Sequence, residues 1–218
     1  YKRQLLYLTL ITPITLLKQD DYELFNLKLA AMKTYLEQHK TININNTQYT
    51  IDLHQANFAV NLGRHLIPTT QESINGQTCQ AIIKVAQQQI KNLTDGSPKK
   101  TLLEDAIQKL NKALNLNFVE RNCGPSYKRE LYIASLLHII GDQVGMVFGG
   151  CISAKDRAAI EIMHTDALLL TFKEHGEFPS FTAEATSDIR RCFVNKMTEI
   201  YLSGHHQKLS GLNATGVE

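Results

Sequence analysis

Hydrophobic residues recur at helical spacing along much of the chain. Leu24 and Leu27, for example, belong to an apolar series with steps of three or four residues, the period of a helix with one buried face. The same period predicts helices over residues 20–39, 78–93, 101–114, 127–140 and 156–172. Thr101 and Glu104 have the spacing of a capping box, which predicts that the third helix begins there. Gly141 is expected to end the fourth.

Alternating apolar residues predict strands in two places. Residues 41–54 alternate on either side of Asn45 and Asn46, a pattern typical of a hairpin with its turn at the two asparagines. A short apolar run over residues 144–148 leads into two glycines and predicts a buried strand. Because helices outnumber strands, we expect an α/β fold that is rich in helix and has a small sheet.

Composition excludes several classes of protein. With 218 residues, 43% of them hydrophobic and 20% charged, the chain can bury a core without disulfides. The 23 basic and 21 acidic residues give a formal net charge of +2, which does not favour a nucleic-acid partner. Four cysteines lie far apart with no CxxC pair, so neither a zinc site nor a disulfide framework is predicted, and no metal or cofactor is expected.

The first residues of the sequence suggest how the chain is divided into domains and whether it can span a membrane. The sequence begins at Tyr1 and not at methionine, so we interpret residues 1–218 as a single domain taken from a longer protein. Residues 1–55 could form an N-terminal subdomain. The apolar stretch over residues 5–17 is too short and too rich in threonine to span a bilayer, so any membrane contact is expected to be peripheral. The sequence does not indicate an oligomeric state.

One segment has the pattern of a phosphate-binding loop with a nucleophile. It lies between the predicted strand and the helix over 156–172 and reads Cys151-Ile152-Ser153-Ala154-Lys155-Asp156-Arg157. Backbone N–H groups of such a loop, together with the start of the following helix, bind an anion. The same field lowers the pKa of a cysteine, so Cys151 could attack phosphorus and become a cysteinyl-phosphate. Arg157 would bind two phosphate oxygens with its planar guanidinium.

This segment resembles a signature of known phosphatases. CISAKDR is similar to the CKSxKDR loop of the SopB/IpgD-type bacterial effector phosphatases and the mammalian inositol polyphosphate 4-phosphatases, which act on phosphoinositides. Residues 57–63, 131–141 and 202–216 also resemble segments of that family, in the same order along the chain. The resemblance implies a cysteine-phosphatase-like fold in which a strand, a loop and a helix form the phosphate cradle.

Roles for the loop residues follow from the chemistry and from the resemblance. Asp156 is a candidate general acid for the leaving oxygen, although an aspartate here could equally cap the helix. Lys155 is expected to meet a second ring phosphate, with a solvated cation as the alternative. Ser153 is expected to contribute its backbone N–H, with its hydroxyl as a secondary contact. Ile152 and Ala154 are the other two residues of the loop that we expect to bind the substrate.

Two loop positions depart from the family pattern. Ile152 replaces a lysine, which removes a cation that would meet neighbouring phosphates. Ala158 replaces a serine or threonine whose hydroxyl helps the thiolate to leave, so turnover of the intermediate is expected to be slower. Cys151, Lys155 and Arg157 are unchanged, and the resemblance therefore still implies an active enzyme.

The predicted function is removal of a phosphate from the 3- or 4-position of a phosphoinositide headgroup. The bacterial branch of the family implies a secreted effector in the host cytoplasm, on the cytosolic face of membranes. A phosphoprotein phosphatase of tyrosine type and a non-catalytic phosphoinositide-binding module remain the alternatives. His164 is expected to be a packed or surface residue, and Cys79, Cys123 and Cys192 are expected to be structural.

Overall fold

The computed structural model describes residues 2–10, 20–39, 41–58, 70–116, 127–150 and 157–204. Within these ranges the chain forms four strands and six helices. Their order is β1 (Lys2–Thr9), α1 (Asp20–Gln38), β2 (Thr41–Ile44), β3 (Thr47–Asn57), α2 (Thr70–Ile90), α3 (Pro98–Leu114), α4 (Tyr127–Val144), β4 (Gly145–Gly150), α5 (Arg157–His175) and α6 (Asp188–Leu202). The helix-rich α/β fold predicted from the sequence is confirmed.

The four strands form one sheet in the order β2-β3-β1-β4. β1 is central and runs parallel to both β3 and β4, whereas β2 pairs antiparallel with β3. Asn45 and Asn46 form the hairpin turn at positive φ angles of 48° and 61°, as a two-residue turn of this kind requires. The predicted hairpin is therefore confirmed, and its second strand continues to Asn57.

The two faces of the sheet are covered unequally. Leu6 and Leu8 of β1 belong to the main core, which also holds buried residues of α2, α3, α4 and α5. On the opposite face Tyr7 packs with Leu29 of α1 in a much smaller cluster. Burial of apolar area is the main favourable contribution to folding. The face of the sheet that packs against α2, α3, α4 and α5 therefore contributes most to the stability of the fold.

Some predicted boundaries are wrong. Helix α3 begins at Pro98 after Ser97, so Thr101 lies inside the helix and the Thr101–Glu104 capping box is not its start. Helix α4 continues through Gly141 to Val144. A Cβ at Gly141 would lie 2.6 Å from Cγ2 of Val147, so this glycine allows the helix to approach the sheet and does not end it.

The sequence analysis missed one strand and placed the start of one helix too late. Strand β1 was not predicted, although it is the centre of the sheet. Helix α2 begins at Thr70, eight residues before the predicted start at 78. No helix in the described ranges combines the length and apolarity needed to cross a bilayer.

Candidate functional site

Three parallel strands end together at one edge of the sheet, here called the carboxyl edge and defined by Thr9, Asn57 and Gly150. Thr9 of β1 pairs with Asn57 of β3 on one side and with Gly150 of β4 on the other. After β1 the chain continues to α1 on one face, and after β4 it continues to α5, which packs with α4 on the opposite face. Adjacent strands whose connections leave toward opposite faces form the position where open α/β sheets bind ligands.

The predicted loop begins at this edge. Gly150 is the last residue of β4 and Arg157 is the first residue of α5, so the strand before the loop and the helix after it are confirmed. The loop residues themselves lie outside the described residues, as does the side chain of Arg157. They are Cys151, Ile152, Ser153, Ala154, Lys155 and Asp156. Their place in the chain is thus fixed by the elements on either side, and their roles stay predictions.

Buried polar side chains support the carboxyl edge. We call Thr9, Asn57 and Asn75 the edge cluster; Thr9 and Asn57 are 1% and 0% exposed. The hydroxyl of Thr9 donates to Oδ1 of Asn57 at 3.1 Å. The side-chain amide of Asn75 accepts from the backbone N–H of Asn57 at 2.9 Å and donates to its carbonyl at 2.8 Å. Asn75 therefore ties α2 to the last residue of β3, and β1 lies between β3 and the strand that leads into the loop.

A glycine shapes the exit of β4. Gly149 has a φ of 149°, and a Cβ there would overlap the carbonyl oxygen of Leu8 on β1. Any other residue would have to push β1 and β4 apart just before Gly150. The close approach of the two strands therefore requires glycine at this position.

A charged contact joins α5 to α4 one turn after Arg157. Nδ1 of His138 lies 2.9 Å from Oε1 of Glu161, and its Nε2 lies 3.4 Å from the Asp142 carboxylate. Burial would lower the pKa of His138, but the hydrogen bonds to Asp142 and Glu161 outweigh burial and raise the pKa to about 10. The imidazole is therefore protonated at neutral pH. Glu161 also accepts from the Thr165 hydroxyl at 2.9 Å, so its buried charge is well compensated.

A second, uncharged contact follows one turn later. Nδ1 of His164 on α5 lies 3.0 Å from the hydroxyl oxygen of Ser135 on α4. The imidazole ring also makes edge-to-face contacts with the rings of Tyr132 and Phe193. Burial lowers the pKa of His164 to about 3, with a smaller contribution from Arg190. The residue is therefore neutral and packed, as the sequence predicted, and is not an acid or base for the loop.

The two cysteines whose side chains the structure describes, Cys79 and Cys192, are not activated as nucleophiles. Cys79 is fully buried, and burial raises its pKa to about 12, with the Glu130 carboxylate adding to the effect. The pKa of Cys192 is also raised, first by loss of solvation and then by Glu174. Neither thiol is a candidate nucleophile. Cys123 and Cys151 lie outside the described residues.

Sequence reasoning missed the residues that support the loop. The edge cluster and the His138–Glu161 pair come from segments far apart in the chain, so no local pattern links them. The signal that was available is the presence of Asn75 and Glu161 at positions that helical spacing places inward. A polar residue on a buried helix face needs a partner, and these partners lie on β3 and α4.

The chain thus has an open α/β fold with a mostly parallel sheet. The predicted loop joins β4 to α5 at the switch point, the position at the carboxyl edge where neighbouring strands are followed by helices on opposite faces. No protein-family model matches the chain, and no curated protein matches it. Among solved structures it is similar to a Legionella phosphoinositide phosphatase that was studied for lipid metabolism in pathogen–host interaction. The TM-score is 0.69 at 24% sequence identity, over 98% of this chain and 25% of that protein. The two share a fold, and this chain spans about a quarter of the length of its neighbour.

Proposed function

We propose that this chain is the catalytic core of a phosphoinositide phosphatase that works through a cysteinyl-phosphate. The observation that carries the proposal is the position of CISAKDR, which joins the carboxyl end of β4 to the start of α5 at the switch point of the sheet. The shared fold with a Legionella phosphoinositide phosphatase supports the same function.

The reaction has two steps that use protein side chains and water. The Cys151 thiolate forms a bond to phosphorus while the bond from phosphorus to the inositol oxygen breaks, and Asp156 gives that oxygen a proton. Water then attacks phosphorus, Asp156 takes up a proton, and the thiolate leaves. Arg157 binds two of the phosphate oxygens and stabilises their charge in both transition states. The chemistry requires no metal ion or organic cofactor.

The remaining loop residues select the substrate. Ser153 and Ala154 offer backbone N–H groups to the phosphate, and Lys155 meets a second phosphate on the ring. Ile152 brings no cation, so we expect fewer neighbouring phosphates to be recognised. The position cleaved is the 3- or the 4-phosphate of the ring.

The edge cluster supports this proposal by fixing Gly150, the residue that precedes the loop. Thr9, which is hydrogen-bonded to Asn57, pairs directly with Gly150 in the sheet. A nucleophile must be held within a few tenths of an ångström to react efficiently. Buried, hydrogen-bonded side chains at the last rung of the sheet favour such a fixed geometry at Gly150.

The proposed setting is the cytosolic face of host membranes. We propose a secreted effector that meets phosphoinositide headgroups by peripheral contact, in keeping with the pathogen–host context of the structural neighbour. Short-chain lipids in solution therefore test the chemistry without the membrane.

The test is phosphate release from a panel of short-chain phosphoinositides, each with a different phosphate pattern, in the presence of a chelator. We compare the wild-type chain with Cys151→Ser and Arg157→Lys. Cys151→Ser is expected to lower the rate by about 10³-fold or more because the nucleophile is lost. Arg157→Lys keeps the charge but loses the bidentate geometry, and a loss of about 10²-fold is expected. Cys79→Ala, which removes a buried thiol outside the motif, is the matched control and should retain activity.

Two results would replace the proposal. Cysteine-dependent release from phosphotyrosine peptides, with none from lipids, would make the chain a phosphoprotein phosphatase. A folded wild-type chain that binds phosphoinositide vesicles but releases no phosphate would make it a binding module. The second alternative has a specific basis, because Ile152 and Ala158 both depart from the phosphatase pattern and the side chain of Ala158 is buried.

A further inference from the structure

Three possible metal ligands meet where α5 and α6 pack together. Glu174 and His175 are in the last turn of α5, and Cys192 is near the start of α6. A carboxylate oxygen, an imidazole nitrogen and the thiol sulfur all lie within 4.8 Å of one another. Glu174 is 17 residues after Arg157 along a continuous helix, which places it about 26 Å from the proposed phosphatase loop.

The helices that carry these residues are held firmly. Phe193, next to Cys192, is buried in the main core together with Leu168 of α5, and its ring packs against His164 with centroids 5.0 Å apart. The hydroxyl of Thr171, fully buried on α5, also interacts with the Cys192 thiol. That hydroxyl donates its proton to the Ala167 carbonyl at 2.7 Å, so it holds a fixed position beside the Cys192 sulfur.

The charges around the cluster favour an added cation. Glu174 disfavours the thiolate of Cys192, and a divalent ion between them would stabilise both. Lys196 lies 3.4 Å from the Glu174 carboxylate and competes with such an ion. It also lies 3.6 Å from Glu199, so Lys196 can release Glu174 and keep an ion pair.

We infer that Glu174, His175 and Cys192 form a binding site for a thiophilic divalent cation of the Zn²⁺ class. Sulfur, imidazole nitrogen and carboxylate oxygen are the ligands that zinc takes in proteins, and three of them leave one position for water. Cys192 loses its proton to solvent on binding. The site joins the end of α5 to the start of α6 and is independent of the proposed phosphatase activity.

Cobalt absorption tests this site in the full chain. All proteins carry Cys151→Ser, so that the proposed nucleophile cannot contribute a sulfur ligand. Adding Co²⁺ is expected to give visible bands of a four-coordinate ion and a thiolate charge-transfer band, and Zn²⁺ should abolish both by displacement. Cys192→Ser should remove the charge-transfer band, and His175→Ala should weaken binding at least about tenfold.

Two further variants distinguish specific binding of Zn²⁺ by the three ligands from nonspecific binding by exposed side chains. Lys196→Met removes the competing cation and should tighten Zn²⁺ binding severalfold, whereas the exposed His39→Gln is the matched control and should change nothing. A charge-transfer band that is absent, or that persists in Cys192→Ser, would overturn the inference. Zn²⁺ binding that is equal in the Cys151→Ser parent and in the same protein with His175→Ala would do the same, and circular dichroism shows whether each variant is folded.

Discussion

Two histidines in the interface between α4 and α5 differ in charge at neutral pH: His138 is a cation and His164 is neutral. His138 of α4 reaches Glu161 of α5, and one turn along the interface His164 of α5 reaches Ser135 of α4. The first imidazole has its pKa raised to about 10, and the second has its pKa lowered to about 3. Both are largely buried, so burial alone does not decide which one is charged.

The hydrogen-bond partners decide. Burial opposes the charge of His138, but the carboxylates of Asp142 on the same helix and Glu161 on the facing helix stabilise it. The hydroxyl of Ser135 is neutral, so burial leaves His164 uncharged. The charged pair also lies one turn after Arg157 on α5. We interpret the His138–Glu161 pair as a fixed contact that holds the start of α5, and the His164–Ser135 pair as part of the apolar core.

The largest expected effect comes from breaking the charged pair. His138→Gln leaves the Glu161 carboxylate buried without its cation, and we expect a loss of about 3 kcal/mol in the free energy of unfolding. Urea denaturation followed by circular dichroism measures the loss. His39→Gln, an exposed histidine at the end of α1, is the control and should change stability by less than about 0.5 kcal/mol. Equal losses in the two variants would show that the buried charge is not what stabilises the contact.

The pH dependence of stability should differ in sign between the two histidines. The pKa of His138 is raised from 6.5 to about 10, so its contribution is complete below about pH 6.5 and is lost as the pH rises toward 10. The pKa of His164 is lowered from 6.5 to about 3. The unfolded chain therefore binds a proton that the folded chain does not, and stability falls as the pH falls from about 6.5 toward 3.

Variants at each histidine isolate these two slopes. The difference in unfolding free energy between wild type and His138→Gln should shrink between about pH 7 and 10. For His164→Gln, the variant should lose less stability than wild type on acidification below about pH 6.5. Nuclear magnetic resonance of the imidazole C–H groups identifies which ring titrates. A His138 ring that deprotonates near pH 6.5 would contradict the comparison.

Much of the fold could be predicted because helical periods are local. The apolar face of α4 and the hairpin turn at Asn45 and Asn46 are each specified by a few neighbouring residues. Strand β1 was missed because a central parallel strand is buried on both faces and shows no alternation. The start of α2 was missed because Asn75 is polar, and its reason for being buried is a hydrogen bond to Asn57.

The same distinction applies to the candidate site. The loop could be proposed from the sequence because its nucleophile and its arginine lie within seven consecutive residues. The residues that support the loop could not, since Thr9 meets Asn57 across 48 positions and His138 meets Glu161 across 23. Only the folded chain brings such pairs together. The charge of each histidine follows from its burial and its hydrogen-bond partners, which the sequence does not specify.

The smallest expected effect comes from the uncharged contact. Ser135 is fully buried, and Ser135→Ala would remove the hydroxyl that lies 3.0 Å from Nδ1 of His164. A neutral hydrogen bond contributes about 1 kcal/mol, and an unpaired buried group costs about 1–2 kcal/mol, so we expect a loss of about 1–2 kcal/mol in urea denaturation. This is less than the loss for His138→Gln because no charge is left without a partner. If Ser135→Ala lowered the free energy of unfolding as much as His138→Gln does, charge would not be what makes the His138 contact stronger.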